Sequence, residues 1–445
     1  MINPRYGDNS WFAIARQTDT ETPIPTKFVQ NRFPFTALDL DLQSELQASE
    51  AIAGRRSDTR DQQGQLWGSG SIETQLYLQK MDEFWRAIIN SGTPKSVDIP
   101  DTEVYVTTAF KKTISAATEF TAPTTPGQLE IALTSTDTTN HPLPADANLG
   151  TVEVHGQRRV GLGSGDTLPI VETALAFTGG IAKTEKYFTK VDKVIFTKGI
   201  TDLPNVQTTI TAKTAQQRNT YKNSDTIFPG WTMQLVRGNV PAVAEGAVLV
   251  NTTLTINNNI RLRMEILARK LMPFREIGSN ASTEKITNAL KNLDFVPDTF
   301  YPNWGGCLEV EGVATIFTDL TLNINQNLEF LPGIKASRYR LPVAATNERR
   351  NVTLTATVFY DFDASNEKWA QVFADNAPRS LTAGCYYWNQ DGKETSQKFK
   401  LPVSYLTESP RVTIESRGPI TRELAFKGVP LSDTDPDEIE IEMLL

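Results

Sequence analysis

Two segments far apart in the chain alternate apolar and polar residues in the same way. Residues 37–47 read ALDLDLQSELQ, and residues 319–329 read DLTLNINQNLE. Strict alternation places apolar side chains on one face of a strand and polar ones on the other, so each segment predicts a half-buried β-strand. At an offset of 282 positions the apolar residues align, Leu38, Leu40 and Leu42 with Leu320, Leu322 and Ile324.

Each of these strands is followed by a second alternating strand and then by a short amphipathic helix. The second strands are predicted over GSGSIETQLY (68–77) and RNVTLTATVFY (350–360). The helices are predicted around MDEFWRAIIN (81–90) and SNEKWAQVFA (365–374). Trp85 and Trp369 are expected to fill equivalent gaps between helix and sheet.

A β-hairpin candidate completes each series. Residues 252–273 and 410–430 each hold two alternating strands around a polar turn. Alternation alone is common to unrelated β-proteins. The same order of strand, strand, helix and hairpin in both halves favours an internal duplication.

The two copies differ by one long insertion. Leu38 and Leu254 lie 216 positions apart, whereas Leu320 and Val412 lie 92 apart, a difference of 124. The extra chain is rich in Thr, Gly and Pro and in short alternating runs. The predicted domains are module 1 at 1–99 and 231–273, an inserted β-rich domain at 100–230, a linker with one helix at 274–306, and module 2 at 307–445.

Composition fits a folded protein of two or three domains, with 445 residues of which 39% are hydrophobic and 22% charged. The net charge of −8 argues against a surface that grips nucleic acid, because phosphate binding needs clustered Lys and Arg. An acidic protein can still surround DNA where its task is to repel the duplex.

Catalytic and metal-binding chemistry is sparse. The chain has two histidines, His141 and His155, and two cysteines, Cys307 and Cys385, without metal-ligand spacing. We therefore expect no enzyme activity and no cofactor. The thiols are expected to be buried and reduced, with a single disulfide as the alternative. The chain shows neither a signal peptide nor a membrane span, so assembly in a cytoplasm and no membrane partner are expected.

The segments LDLQSELQASEAIAGRRSD (40–58) and GSGSIETQLYLQKMDEFWRAI (68–88) resemble bacteriophage tail tube proteins, as does the hairpin start TTLTINNNI (252–260). The resemblance implies a mainly β fold with two tandem β-sandwich or partial-barrel modules of the tail tube type. Each module would have a flanking helix, and the β-rich insert is additional. Module 2 departs from the pattern, with LPGIKASRYR (331–340) in place of the Ser-Glu segment.

The resemblance also implies rings of six modules, and hence a trimer of two-module chains with pseudo-sixfold symmetry. Barrel geometry tests this number independently. Twenty-four tilted strands at roughly 6 Å each enclose a backbone diameter near ~48 Å, or about 38 Å between side chains. Three modules would leave only about 14 Å. A duplex roughly 20 Å across passes through the first bore but not through the second.

The polar strand faces are the candidates for lining such a channel, because they lack Lys and Arg and so offer phosphates no cation. In module 1 they are Asp39, Asp41, Gln43, Glu73 and Gln75. In module 2 they are Thr321, Asn323, Asn325, Thr353, Thr355 and Thr357. The alternative is that these residues face the outer solvent.

The long charged loops are candidates for contacts between rings, because opposite charges suit such contacts. The candidates are Glu50, Arg55, Arg56, Asp58, Arg60, Lys335, Arg338 and Arg340; solvated loops are the alternative. The acidic end DTDPDEIEIEMLL (433–445) is interpreted either as a docking tail or as a solubilising terminus.

The sequence therefore predicts the major tail tube subunit of a long-tailed phage, located in the virion tail. Its expected partners are further copies of itself, passing phage DNA, and the tape measure, tail terminator and baseplate proteins. Two alternatives stay open. One is another virion component, such as a baseplate ring or decoration protein, and the other is a carbohydrate-binding β-protein.

Overall fold

A computed structural model describes the parts of the chain on which the fold and the site depend. The described residues are 10–16, 32–47, 62–89, 91, 93–107, 110–115, 117–123, 125–139, 142–161, 165–197, 205–222, 230–237, 240–273, 301–302, 305–331, 341–344, 350–359, 367–413, 420–432 and 437–445. The predicted linker helix lies outside these residues.

Strands dominate the described chain, which confirms the prediction of a mainly β fold. The first elements are β1 Trp11–Arg16, β2 Phe33–Pro34, β3 Ala37–Leu38, β4 Asp41–Gln47, β5 Gln62–Gln75 and helix α1 Asp82–Ile88. Next come β6 Lys95–Asp98, β7 Thr102–Thr107, β8 Thr113–Ile114, β9 Gly127–Ser135, β10 Thr151–Arg159, β11 Thr167–Ala176, β12 Ile181–Phe188, β13 Lys190–Thr197, β14 Val206–Lys213 and β15 Gln217–Tyr221.

The remaining elements belong to the second half of the chain. They are β16 Trp231–Arg237, β17 Val240–Ile256, β18 Ile260–Pro273, β19 Gly306–Val310, β20 Val313–Thr315, β21 Phe317–Asn325, β22 Leu328–Leu331, β23 Leu341–Ala344, β24 Asn351–Phe359, helix α2 Glu367–Ala374, β25 Arg379–Trp388, β26 Glu394–Leu406, β27 Arg411–Thr413, β28 Thr421–Val429 and β29 Glu440–Leu444. Short 3₁₀ turns lie at Ala117–Glu119 and Asp146–Asn148.

The chain divides into two compact units. Unit 1 comprises Met1–Pro94, Thr220–Gly384 and Lys398–Ile441. Unit 2 comprises Lys95–Asn219, Cys385–Gln397 and Glu442–Leu445. The sequence interpretation assigned 385–397 to module 2, whereas in the fold this stretch groups with the residues of the predicted insert.

Unit 1 is built on an unbroken run of antiparallel strands. The order across the sheet is β4, β5, β18, β17, β21, β24, β28 and β27. In the middle of this run β17 pairs directly with β21, so that Leu254 lies opposite Leu322. This junction joins a strand of predicted module 1 to a strand of predicted module 2.

Alternation gives this sheet two chemically different faces, as the sequence predicts. Partners directly opposite each other in an antiparallel pair point to the same face. One such row of buried residues crosses the sheet: Thr74, Leu262, Leu254, Leu322, Leu354 and Phe426. Burial of this apolar face is the main contribution to the stability of the sheet, at roughly 25 cal/mol per Å² of apolar surface.

Both predicted helices form within two residues of their expected bounds. In α1, Trp85 is buried, and its ring meets the edge of Phe399 at a centroid distance of 5.2 Å. The ring of Trp369 in α2 meets Phe426 at 5.9 Å. Each tryptophan therefore packs against an aromatic residue of the sheet, as expected from the position of the two tryptophans in the sequence.

The acidic end of the chain is packed into the fold. Glu440–Leu444 forms β29, and Asp437, Glu438 and Glu442 are buried. Glu438 accepts hydrogen bonds from Arg350, whose Nη2 lies 2.8 Å from the carboxylate. The two interpretations of this segment, as a docking tail or a solubilising terminus, are therefore wrong for residues 437–445, because Asp437, Glu438 and Glu442 are buried in the chain's own fold.

Unit 2 contains two four-stranded sheets with the orders β11-β10-β13-β8 and β12-β9-β14-β7. Buried apolar residues from both sheets form one shared core, for example Val154 and Val194 from the first and Ile131 and Ile210 from the second. The predicted insert is therefore β-rich. The turn between β25 and β26 also belongs to this unit, where the N–H of Tyr187 donates to the carbonyl of Asp391 at 2.7 Å.

Gly70 in β5 is required by the close passage of the β3–β4 segment. A Cβ atom at Gly70 would lie 1.9 Å from the carbonyl oxygen of Asp39 and 2.5 Å from Cα of Leu40. Both are backbone atoms, which cannot rotate away. We expect Gly70→Ala to lower the free energy of unfolding by at least ~1–3 kcal/mol, the usual cost of overpacking.

Urea denaturation of the variant measures this cost. Gly165→Ala is the matched control, because a Cβ there meets nothing within 4 Å. Equal stability of the two variants would show that β3 and β4 do not pass over Gly70 as described.

Candidate functional site

The eleven predicted channel residues all lie on one face of the unit 1 sheet. In module 1, Asp41 lies opposite Ser69, and the N–H of Asp39 donates to the carbonyl of Ser71 at 2.9 Å. In module 2, Asn323 lies opposite Thr353. We call the shared surface the polar face; it comprises Asp39, Asp41, Gln43, Glu73, Gln75, Thr321, Asn323, Asn325, Thr353, Thr355 and Thr357, with the residues added below.

The register makes the polar face continuous from one module to the other. Successive partners in one row are Glu73, Arg263, Thr253, Asn323, Thr353 and Lys427. These residues come from six adjacent strands. Since opposite partners share a face, the row crosses the β17–β21 junction without a change of side.

The sequence interpretation missed the middle and one end of this face. The residues it did not assign are Thr253, Thr255, Arg261, Arg263 and Glu265 of the β17–β18 hairpin and Glu423, Ala425 and Lys427 of β28. The hairpin residues could have been found from the alternation in TLTINNNIRLRME (253–265), because it identifies a polar side for both hairpin strands. What the sequence did not show is that this hairpin lies beside β5.

The polar face is therefore not free of cations, which corrects the expectation drawn from the predicted residues alone. Arg261, Arg263 and Lys427 are exposed on it. Carboxylates accompany them: Nη1 of Arg261 lies 3.0 Å from Oε1 of Glu73, and Arg263 lies directly opposite Glu73 in the register. The face thus combines neutral amides and hydroxyls with charges of both signs, of which Arg261 and Glu73 form an ion pair.

A shallow concavity marks the end of the polar face next to the β17–β18 turn. Its lining includes Glu73, Arg261 and Arg263, together with Asn257 and Asp319. The turn is fixed locally, because the N–H of Asn259 donates to Oδ1 of Asn257 at 3.0 Å. Arg261 and Arg263 therefore lie on a hairpin whose turn is held by a local hydrogen bond.

The remaining predicted site residues fall outside the described chain. These are the candidates for contacts between rings, Glu50, Arg55, Arg56, Asp58, Arg60, Lys335, Arg338 and Arg340. They stay predictions. Arg350, at the end of the second loop, is described, and it binds Glu438 and the carbonyl of Ile89 within its own chain.

The cysteines and the possible metal ligands form no metal site in the described part of the chain. Cys307 and Cys385 are buried thiols. Within the described ranges, no group of three or more His, Cys, Asp and Glu residues is placed to hold a metal ion. Over the same part of the chain, no helix is both long and apolar enough to cross a membrane.

These observations define a class: a β-rich structural protein whose principal chemical surface is one polar sheet face that runs through both halves of the chain. A family model described as phage tail tube protein matches residues 7–286. That match spans more than half of the sequence, and the chain belongs to the phage tail tube protein family. It is a structural protein of the virion tail.

Comparison with solved structures gives 14 matching chains. A chain of the structure titled "Tail of empty GTA particle computed with helical refinement, C6 symmetry" is 12% identical to this protein, with a TM-score of 0.18. The alignment covers 25% of this chain and 77% of that chain. No curated protein matches the sequence.

Proposed function

We propose that this protein is the major tail tube subunit, and that three copies close a pseudo-hexameric ring. Stacked rings would then enclose a channel through which the phage DNA passes. The single observation that carries this proposal is the in-chain pairing of β17 with β21, which joins two sets of four strands edge to edge.

The two sets correspond strand by strand. The first is β4, β5, β18 and β17, and the second is β21, β24, β28 and β27. Asp41 opposite Ser69 corresponds to Asn323 opposite Thr353, which are offsets of 282 and 284 positions. Trp85 and Trp369 also differ by 284. A two-residue insertion in the second loop therefore accounts for the whole difference, which supports a true duplication.

The same correspondence indicates how chains would join. The first set ends at β17, which pairs with β21, the first strand of the next set. By repetition β27 should pair with β4 and its neighbour β3 in a second copy. An unpaired strand edge is a template for such pairing. The in-chain pair Leu254–Leu322 then places Val412 opposite Leu40 of the next copy.

Ring closure would place the polar face on the inside. Six sets of four strands give a bore of about 38 Å between side chains, wide enough for a duplex roughly 20 Å across. Its amides, hydroxyls and paired charges would offer few free cations to phosphates, and the duplex could slide. The apolar face would carry the helices on the outer side.

A cysteine pair tests both the trimer and its register. Asp39 and Thr413, both exposed, should face each other across the junction between copies, within the 4.4–6.8 Å Cα separation of disulfides. We expect oxidised assemblies of Asp39→Cys/Thr413→Cys to give covalent dimers and trimers, with trimer as the end point. Thr255→Cys/Thr321→Cys is the matched control, because that pair should close within one chain.

Negative-stain imaging of the same samples separates the outcomes. Hollow tubes with a cross-linked ladder that continues to hexamer would refute the trimer. Tubes without any cross-link would refute the register alone. Compact particles without a bore would refute the tube itself and favour a decoration protein or a glycan-binding protein.

The other tail partners follow from the same proposal. A subunit would contact the rings above and below its own. The tube would contact the tape measure, tail terminator and baseplate proteins. The eight charged loop residues predicted from the sequence stay the candidates for the ring-to-ring contacts. A baseplate ring is the second candidate function, and it would give single rings in the images instead of long tubes.

A further inference from the structure

We infer that Glu73 is a neutralising residue, which keeps Arg261 and Arg263 from binding DNA phosphates as the duplex slides past. This inference rests on the proposed function, because it requires the polar face to line the bore. It assigns a role to three charged residues on the central strands of module 1.

The geometry holds Glu73 between its partners. Oε1 of Glu73 accepts a hydrogen bond from Nη1 of Arg261 at 3.0 Å and another from the hydroxyl of Thr36 at 3.3 Å. The N–H of Thr36 also donates to the carbonyl of Glu73 at 2.8 Å. The carboxylate is therefore oriented by Thr36 on one side and by Arg261 of β18 on the other.

Arg263 is the second cation within reach. It lies directly opposite Glu73 in the β5–β18 register, where Cβ atoms are about 4.5–5.5 Å apart. Glu265, two residues further along β18, lies on the same face. The side chain of Glu73 is only a quarter exposed, at 25%, whereas that of Arg261 is 52% exposed. The acid is thus the fixed partner and the guanidinium the group that a passing phosphate would reach.

An arginine without its carboxylate partner would bind phosphates and slow the sliding of the duplex. The guanidinium binds phosphate with two parallel hydrogen bonds and stays charged at all accessible pH values. A sliding duplex presents a new phosphate every few ångströms, so a free arginine would re-form this contact continually. The adjacent carboxylate supplies the competing acceptor inside the protein.

The second strand set supports this interpretation. By sheet position Thr357 corresponds to Glu73, and Thr421 corresponds to Arg261. The acid and the base of the ion pair are therefore both present in one set and both replaced by threonine in the other. A net neutral pair has been exchanged for two neutral hydroxyls, and Arg263 corresponds to Glu423, so neither arginine has a cationic counterpart in the second set.

The test uses preformed tubes of the full chain carrying Glu73→Gln and a linear duplex. Glu265 stays on the same face two residues from Arg263, so Glu73→Gln leaves one uncompensated positive charge per chain. The three chains of a ring then make three new phosphate contacts, which steepen the salt dependence of binding by about 2.7 log units per log unit of salt for each ring that the duplex crosses. Between 50 and 200 mM salt, retention of the linear duplex should therefore fall by ~40-fold more per ring than with unaltered tubes. Glu73→Gln/Arg261→Gln should largely reverse the effect.

Two controls test whether the added DNA retention arises inside the channel and from the loss of the Glu73 carboxylate. Closed circular duplex cannot thread into a preformed tube, so Glu73→Gln should leave its retention unchanged. Asp41→Asn removes a carboxylate of the same face opposite Ser69 and should have the smaller effect. Equal effects of Glu73→Gln and Asp41→Asn, or no rescue by Arg261→Gln, would overturn the neutralising role. Equal retention of circles and linear duplex would instead overturn the channel assignment.

Thermal unfolding and imaging of the variant tubes keep the result interpretable. Glutamine has the shape of glutamate and keeps an acceptor for Thr36, so the tubes should form with unchanged diameter. Failure of all variants and of the unaltered chain to form tubes would refute the proposed function and not the role of Glu73 alone.

Discussion

Replacing Arg350 with methionine is expected to lower the free energy of unfolding by ~3–5 kcal/mol, the cost of leaving one member of a buried ion pair without its partner. The side chains of Arg350 and Glu438 are only 6% and 9% exposed. Nε and Nη2 of Arg350 donate to the same carboxylate oxygen at 3.1 and 2.8 Å. Removal of the guanidinium leaves the Glu438 carboxylate buried and uncompensated.

The position of Arg350 explains why this pair should matter for the fold of unit 1. Its Nη1 also donates to the carbonyl of Ile89 at 3.4 Å, at the C-terminal end of α1. The carbonyls of the last helical turn have no partner within the helix, and a cation there is favourable. The side chain of Gln326 donates to the preceding carbonyl, that of Ile88. Two residues of predicted module 2 therefore complete a helix of predicted module 1.

Urea denaturation of Arg350→Met measures the effect, with Lys400→Met as the matched control. Lys400 lies 3.7 Å from Glu440, and the side chains of that pair are 35% and 20% exposed. A partly exposed pair contributes at most about 1 kcal/mol. The double variant Arg350→Met/Glu438→Gln should recover part of the loss. Equal stability of Arg350→Met and Lys400→Met would contradict the description of a buried pair.

Charge reversal at Asp39 and Asp41 is expected to make the polar face bind the DNA that would otherwise slide past it. The double variant Asp39→Lys/Asp41→Lys would place six lysines in each trimeric ring, all on the polar face. Each lysine that neutralises a phosphate contributes about −0.9 to the salt dependence of binding, so a ring could contribute about −5. Phage assembled with this variant should eject DNA more slowly, and the delay should shrink as salt rises.

The rate of ejection from purified particles, recorded against salt, measures this effect. Glu103→Lys/Asp375→Lys is the control, because it makes the same change of charge at two exposed positions that are not part of the polar face. Ejection that is equally fast in both variants would show that Asp39 and Asp41 do not face the bore. A delay that is independent of salt would indicate a steric cause instead of phosphate binding.

Much of the architecture could be predicted from the sequence because it depends on local pattern. Alternation identified strands within 37–47, 68–77, 319–329 and 350–360 and assigned their buried side, except at Leu42, which is 49% exposed. Amphipathic spacing around Trp85 and Trp369 placed both helices. Because a side-chain period of two fixes which residues share a face, the eleven polar residues could be grouped before any neighbour was known.

The tertiary structure alone decided which strands are neighbours. Pairing partners are set by contacts between distant residues, and the pattern within a strand carries no record of them. The sequence therefore did not place the β17–β18 hairpin beside β5, and the arginines Arg261 and Arg263 were missed. For the same reason the acidic end was interpreted as a docking tail or a solubilising terminus.

The sequence by itself thus determined a β-rich chain, strands with a polar and an apolar side, and the resemblance to the tail tube family; the duplication of its two halves stays a prediction. The fold decided that the two halves share one sheet through the pairing of β17 and β21, and that residues 385–397 belong with the insert. The physical reason is the same in each case. Hydrophobic period is a property of neighbouring residues, whereas strand order and charge pairing are properties of residues brought together from hundreds of positions apart.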